Sequence, residues 1–363
     1  MNSEFWRGRR VFLTGHTGFK GSWLSLWLQG LGADVMGYSL EPPTEPSLFV
    51  QAAVERGMKS VHGDVLDIAR LRQAYRDHEP EVVLHLAAQS LVRRSYLDPV
   101  YTFATNVMGT VHVLEVVRDC PATRAVVIVT SDKCYENEEK VKSYRETDRL
   151  GGFDPYSSSK AAAELVTASY RNSFFVAANH QSKTGVGSGR AGNVIGGGDW
   201  TSDALIPDVV RAILGGEEAR IRNPHAIRPW QHVLEPLRGY LLLAERLYDE
   251  PAKYSQGWNF GPETSDAVSV SELLERFRKF WGPGAQWRID GDLHPHEAGY
   301  LSLDCMKAKS QLGWHPQWNL DRAIEATVRW YKAYQQKQDV RAIVLEQIHS
   351  YQNTLRPEAM RQP

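Results

Sequence analysis

A chain of 363 residues that is 42% hydrophobic can bury a large core and divide into two lobes. Its 42 lysines and arginines nearly balance its 43 aspartates and glutamates, and the net charge of -1 gives no basic excess for nucleic acid or an anionic membrane surface. Three scattered cysteines (Cys120, Cys134, Cys305), no apolar leader and no bilayer-length apolar run lead us to expect a reducing cytoplasm, with neither disulfides nor a metal site.

The first predicted strand, residues 11–14, runs into glycines at positions 15, 18 and 21 and then a helix over 23–31. This is the spacing of a dinucleotide-binding turn. Gly15 makes the tight exit from the strand, Gly18 lets backbone approach a pyrophosphate, and Gly21 lets the helix pack on the sheet. The helix N-terminus adds partial positive charge. Strands are expected next at 34–38, 59–62, 82–86 and 125–130, with helices at 68–77, 101–120 and 157–171. Alternation of this kind predicts an α/β fold, a Rossmann-type doubly wound parallel sheet with a smaller α/β substrate-binding lobe. Ligands in such a fold sit at the carboxyl ends of the strands.

The texture changes near residue 185, where glycine-rich loops, prolines and tryptophans separate shorter helices at 206–214 and 271–281. Residues 1–184 are therefore expected to form the dinucleotide-binding domain. Residues 185–340 form mainly the second lobe, with some segments returning to the first, and 341–363 form a helical, polar tail. The run 179–189 is more polar and glycine-rich than a core strand should be, which predicts a weak or mobile strand there.

Two clusters carry chemistry. Tyr156 and Lys160 lie four apart at the start of a helix, on one face. A phenol with a pKa of about 10 becomes a competent base when a fixed cation favours the phenolate. Ser131, Asp132 and Lys133 follow an apolar strand, at the end where reactive groups concentrate in this architecture.

The glycine turn, residues 86–89, Asn106 and the Tyr156/Lys160 pair resemble the extended short-chain dehydrogenase/reductase family. The runs 190–200, 228–233 and 259–262 narrow the resemblance to its nucleotide-sugar branch. Residues 294–304, Lys307 and 312–316 are similar to its CDP-glucose 4,6-dehydratases. The resemblance spans roughly residues 5–335.

That resemblance implies an NAD cofactor held by Gly15, Thr17, Gly18, Phe19, Gly21, Ser39, Asp64, Val65, Leu86, Ala87, Ala88, Tyr156 and Lys160. It implies that Tyr156 takes the proton of the sugar 4-hydroxyl while hydride leaves C4 for NAD, with Ser131 bonded to the same oxygen. Water then leaves across C5–C6 and the hydride returns to C6. Asp132 would be the acid for the 6-hydroxyl and Lys133 the base for C5. Gln89, Arg190, Asn193, Arg228 and His296 would contact the nucleotide sugar, CDP-glucose, and a homodimer or homotetramer is implied. No metal is implied, although His294, His296 and Glu297 stand close in sequence.

Two positions depart from the family pattern. Most hexose dehydratases of this branch carry Glu where Lys133 stands, and a lysine base must be neutral, through desolvation or a nearby cation. Ser39 occupies the strand end where an acid normally holds the adenosine ribose, with Glu41 two residues on. Asp64 reads either as an adenine contact or as a loop cap. A nucleotide-sugar 4-epimerase would need the same glycine turn, Tyr156 and Lys160 but no elimination pair. A non-catalytic dinucleotide-binding regulator could dispense with Tyr156 or Lys160.

Overall fold

A computed structural model of the chain describes residues 2–138, 142–175, 183–291 and 299–355. Seven strands build one sheet: β1 (Arg10–Thr14), β2 (Asp34–Ser39), β3 (Lys59–His62), β4 (Val82–His85), β5 (Ala125–Val129), β6 (Gly185–Ala191) and β7 (Gly257–Phe260). Their order is β7-β6-β5-β4-β1-β2-β3, and every neighbouring pair is parallel. The order reverses between β1 and β4, so the crevice at their carboxyl ends is the place where this fold binds ligands. The Rossmann-type doubly wound sheet expected from the sequence is the fold observed.

Nine α-helices of ten residues or more stand among the described residues: α1 (Phe19–Gly30), α2 (Ile68–His78), α3 (Gly109–Arg118), α4 (Pro155–Tyr170), α5 (Leu205–Leu214), α6 (Leu234–Asp249), α7 (Val270–Trp281), α8 (Leu320–Gln335) and α9 (Val340–Thr354). Side-chain alternation along β1 explains the layering. Val11 and Leu13 join a core with Trp23, Trp27, Leu237 and Leu241 on one face. Phe12 joins Leu71, Tyr75, Val113 and Val117 on the other. Among the described residues, no helix is long and apolar enough to cross a membrane.

The glycine-rich run corrects one expectation. Residues 176–182 lie outside the described residues, but 185–191 form β6, buried along its whole length between β5 and β7. Its glycines alternate toward α6. A Cβ at Gly185 would stand 2.7 Å from the Leu247 carbonyl oxygen, and one at Gly189 would stand 2.7 Å from the Tyr240 ring. The composition records close helix approach rather than weakness.

The predicted 101–120 helix is also broken. Pro99–Phe103 passes through a π-helical turn, Ala104–Met108, into α3. Asn106 lies in that turn, with its carbonyl taken by the Thr110 hydroxyl. The second lobe holds three short strand pairs: Ala219–Ile221 with Trp287–Ile289, Ile227–Pro229 with Ala267–Ser269, and Val194–Ile195 with Gln231–His232.

Candidate active site

The glycine turn is built as its spacing requires. Gly15 has φ +76°, and a Cβ there would meet the Ala87 backbone at 2.7 Å. A Cβ on Gly21 would collide with the Gly15 carbonyl oxygen, so α1 is pressed against the turn. Gly18 is the N-cap of α1 and brings no side-chain acceptor to the first-turn N–H groups. Those donors, at the carboxyl edge of the sheet, fit the pyrophosphate of a dinucleotide.

Around the turn, the Leu86 and Ala87 N–H groups donate to Thr14 Oγ1, which fixes the loop that Ala88 continues. Phe19 directs its ring toward Gly196 of the second lobe. Ser39 is buried at the end of β2, its hydroxyl 2.8 Å from that of Thr17. Glu41 is exposed and pairs with His62 at 3.1 Å. Asp64 accepts the Leu66 N–H at 2.9 Å, the geometry of a loop cap. Val65 is buried against Gly109. The ring of His16 lies over Gly37, where burial, aided by His62, pushes its pKa down to about 4 and keeps it neutral.

Tyr156 and Lys160 are set by the start of α4. Asp154 accepts the Ser157 N–H and hydroxyl, and Pro155 occupies the first helical turn. Tyr156 is buried beside Ser131, which hydrogen-bonds its hydroxyl. Burial dominates the electrostatics, raising the Tyr156 phenol above its ordinary value, with Ser131 opposing. Lys160 directs its ammonium to the Val129 carbonyl at 3.3 Å, and burial, with Lys20 second, pushes it down to about 8.

The Ser131 hydroxyl donates its proton to Asp132 Oδ1 at 3.0 Å. Asp132 is buried, and its Oδ2 has no hydrogen-bond partner among the described residues. Burial raises its pKa, against the pull of Lys133, Ser131, Arg228 and Lys20. Burial thus biases this carboxyl toward its protonated form, the direction that general-acid chemistry requires. Lys133 is half-buried next to it.

The structure separates the other expected contacts. Arg228 is buried in the second lobe within electrostatic range of Asp132. Asn193 is half-buried, and its carbonyl accepts the Gln231 N–H. Gln89 turns inward, its amide bonded to Leu91 and Thr102. Arg190 is not presented to a ligand, because its guanidinium is consumed by Glu164 and Tyr135. His296 falls outside the described residues, as do His294 and Glu297.

Three site neighbours escaped the sequence reading. Glu164 lies four residues after Lys160 on α4 and accepts Thr130, Ser188 and Arg190, a spacing that could have exposed it. Lys20 sits inside the glycine motif, and loss of water pushes its ammonium down to about 8 although Asp132 and Asp199 oppose this. Tyr240 on α6 brings a buried hydroxyl into electrostatic range of Tyr156 and Asp132, a proximity that only the glycine face of β6 allows.

Known proteins place this arrangement. The chain is 53% identical over 352 residues to CDP-glucose 4,6-dehydratase of Salmonella typhimurium, covering 97% of this chain and 98% of that protein. DesIV, a dTDP-glucose 4,6-dehydratase from Streptomyces venezuelae solved with NAD and TYD bound, superposes with a TM-score of 0.76 at 24% identity, over 92% of this chain and 99% of that one. The epimerase Mth375 of Methanothermobacter thermautotrophicus gives a TM-score of 0.78 at 21% identity, over 94% and 96%. At these identities the two structures speak for the fold. The GDP-mannose 4,6-dehydratase family model matches residues 12–327. Because that match runs from β1 into α8 and takes in both the sheet and the second lobe, the chain belongs to the GDP-mannose 4,6-dehydratase family.

Proposed function

We propose that this chain is a hydro-lyase that converts CDP-glucose to CDP-4-dehydro-6-deoxyglucose and water. The observation that carries this reading is Asp132: a buried carboxyl, raised in pKa, with one oxygen unclaimed beside Ser131 and Tyr156. An epimerase needs no such acid. The 53% identity to a CDP-glucose 4,6-dehydratase over nearly the whole chain supports the choice of substrate.

The Gly15–Gly21 turn, with Thr17, Phe19, Ser39 and the 86–88 loop, fits NAD. When bound, NAD supplies the acceptor for the C4 hydrogen and the donor that returns it to C6. Tyr156 takes the proton of the 4-hydroxyl, and Ser131 holds that oxygen. Lys160 adds the positive charge that Tyr156, raised by burial, needs in order to ionise. The resulting 4-ketone acidifies the C5 hydrogen, which Lys133 removes as a proton. Asp132 gives its proton to the 6-hydroxyl and water leaves, and the proton held by Lys133 returns to C5 as the hydrogen is restored at C6. Arg228 suits the diphosphate, its planar fork matching phosphate oxygens, and Asn193 the sugar.

Apolar side chains left exposed on α4 (Leu165) and on the helical segments packed against it (Val100, Phe103, Met108) support a homodimer or homotetramer built through that region. Free Cys120, Cys134 and Cys305 support a reducing cytoplasm.

The test is incubation with CDP-, dTDP-, GDP- and UDP-glucose in the presence of NAD, read by mass spectrometry and proton NMR. Loss of water from CDP-glucose alone, with a new 6-methyl signal, is the expected result. Isomerisation without a change in mass would make the chain an epimerase.

A further inference from the structure

The C-terminal helix carries none of the proposed reacting groups, yet it packs against the helix that follows the glycine turn. Trp23 and Trp27 stand one turn apart on α1, both fully buried. His232 meets the Trp23 ring edge-on at 5.6 Å, and Tyr351 of α9 meets Trp27 edge-on at 5.7 Å. Trp318, on the segment leading into α8, contacts both partners, His232 at 4.9 Å and Tyr351 at 5.4 Å. Five rings therefore form one continuous set of contacts around α1.

A single carboxylate ties this set together. Glu235, in the first turn of α6, is wholly buried. Its Oε1 accepts the Gln317 N–H at 3.0 Å and the Trp318 N–H at 2.7 Å, and its Oε2 accepts the Tyr351 hydroxyl at 2.6 Å. Nothing in the proposed reaction uses Glu235. A buried carboxylate is costly unless its hydrogen bonds are made, so one that joins three segments fixes their relative positions. The far end of α1 is tied as well: Arg341 of α9 donates to the carbonyls of Ala52 and Ala53, both at 2.8 Å, and to Gln29 at 3.3 Å.

We propose that α9 braces α1, and that Glu235 and Tyr351 are positioning residues that hold the glycine turn in the shape that binds the dinucleotide. The inference rests on the assignment of that turn to NAD. The brace acts through the first-turn amide donors from Phe19 onward, which move with the helix they begin. A small tilt of α1 withdraws those donors from the pyrophosphate without touching Tyr156 or Asp132, so the effect falls on cofactor affinity and not on the bond-breaking steps.

Tyr351→Phe keeps the ring and deletes only the hydroxyl that Glu235 accepts. In the full-length protein it should raise the dissociation constant for NAD about fivefold, the scale of one lost hydrogen bond, while kcat at saturating NAD stays within about twofold. Amide hydrogen exchange over residues 18–24, followed in the protein without cofactor, should quicken about tenfold. Glu235→Gln should act in the same direction. Glu346→Gln, which removes an exposed ion pair with Arg329 on the outer side of α9, should leave both readouts at parental values. Parental exchange over 18–24 in Tyr351→Phe and Glu235→Gln would overturn the proposal. If the parental protein binds no NAD, the cofactor assignment fails, and the exchange rates still decide whether α9 braces the turn.

Discussion

The Arg190 guanidinium stands 2.8 Å from the Glu164 carboxylate, with only 6% and 3% of the two side chains exposed. This pair joins the helix that carries Tyr156 and Lys160 to the strand beside it. Burial opposes ionisation of Glu164, but Arg190, Ser188 and Thr130 together hold its carboxyl below the usual carboxylate range. Glu164→Gln strands the guanidinium and should destabilise the protein by about 3–5 kcal/mol. Adding Arg190→Met should restore most of that loss. Urea unfolding of the parent, single and double variants checks both statements.

Asp132→Asn keeps the shape and the bond from Ser131 but removes the proton donor. We expect kcat for water loss to fall by about 10²–10⁴. Exchange of the C5 hydrogen with solvent deuterium should persist, because the base is untouched. Product mass and proton NMR in deuterium oxide separate the two steps. Lys133→Ala should lose C5 exchange and water loss together, because water leaves only once the C5 proton is removed, and C5 exchange at the parental rate would exclude Lys133 as the base.

Ser39→Asp places a carboxylate at the end of β2, where a ribose hydroxyl would accept it as a partner. NAD affinity should rise severalfold, because the native hydroxyl is already engaged by Thr17. Calorimetric titration against the parent gives the answer directly.

Gly189→Ala presses a methyl toward the Tyr240 ring at 2.7 Å, close enough that α6 must shift. About 1–3 kcal/mol of destabilisation is expected from such overpacking. Activity should drop with it, since Tyr240 lies near Tyr156. Ala at the open Gly284 is the control for both measurements.

Burial raises the Glu235 carboxyl from 4.5 to about 7, against donors from Tyr351, Trp318 and Gln317 and the charge of Arg238. His232, on the short strand just before α6, is pushed down to about 3 by burial and stays neutral. A raised acid means that the folded state binds more protons than the unfolded chain between pH 4.5 and 7. Its stabilising share is complete below 4.5 and is lost as pH rises to 7, on the order of 3 kcal/mol in all. The stability of Glu235→Gln relative to the parent should therefore improve as pH rises through that window, measured by urea unfolding at half-unit steps.

The sheet was legible because β1, β4 and β5 are continuous apolar runs bounded by turns, and the glycine spacing fixes the first crossover by local sterics alone. Tyr156, Lys160, Ser131 and Asp132 were legible because helix and strand ends place them without long-range information. Arg190 was not: an arginine in a family motif reads as a ligand contact until Glu164 stands beside it, and that meeting depends on α4 packing over β6. The glycines of β6 misled for a related reason. Composition reports a weak strand, whereas packing uses the missing side chains to seat α6. Glu235 and Tyr351 are 116 residues apart in sequence, and no periodicity links them.

The sheet takes its last two strands from residues 185–191 and 257–260, beyond the whole of the first five. During synthesis β5, five apolar residues, emerges with one edge bare and waits for β6, which waits in turn for α6 to cover its glycine face. A chain released near residue 184 would present that edge to any neighbouring strand and aggregate. Dividing this protein between its lobes therefore yields no folded half, and engineering of the sugar site must be done in the intact chain.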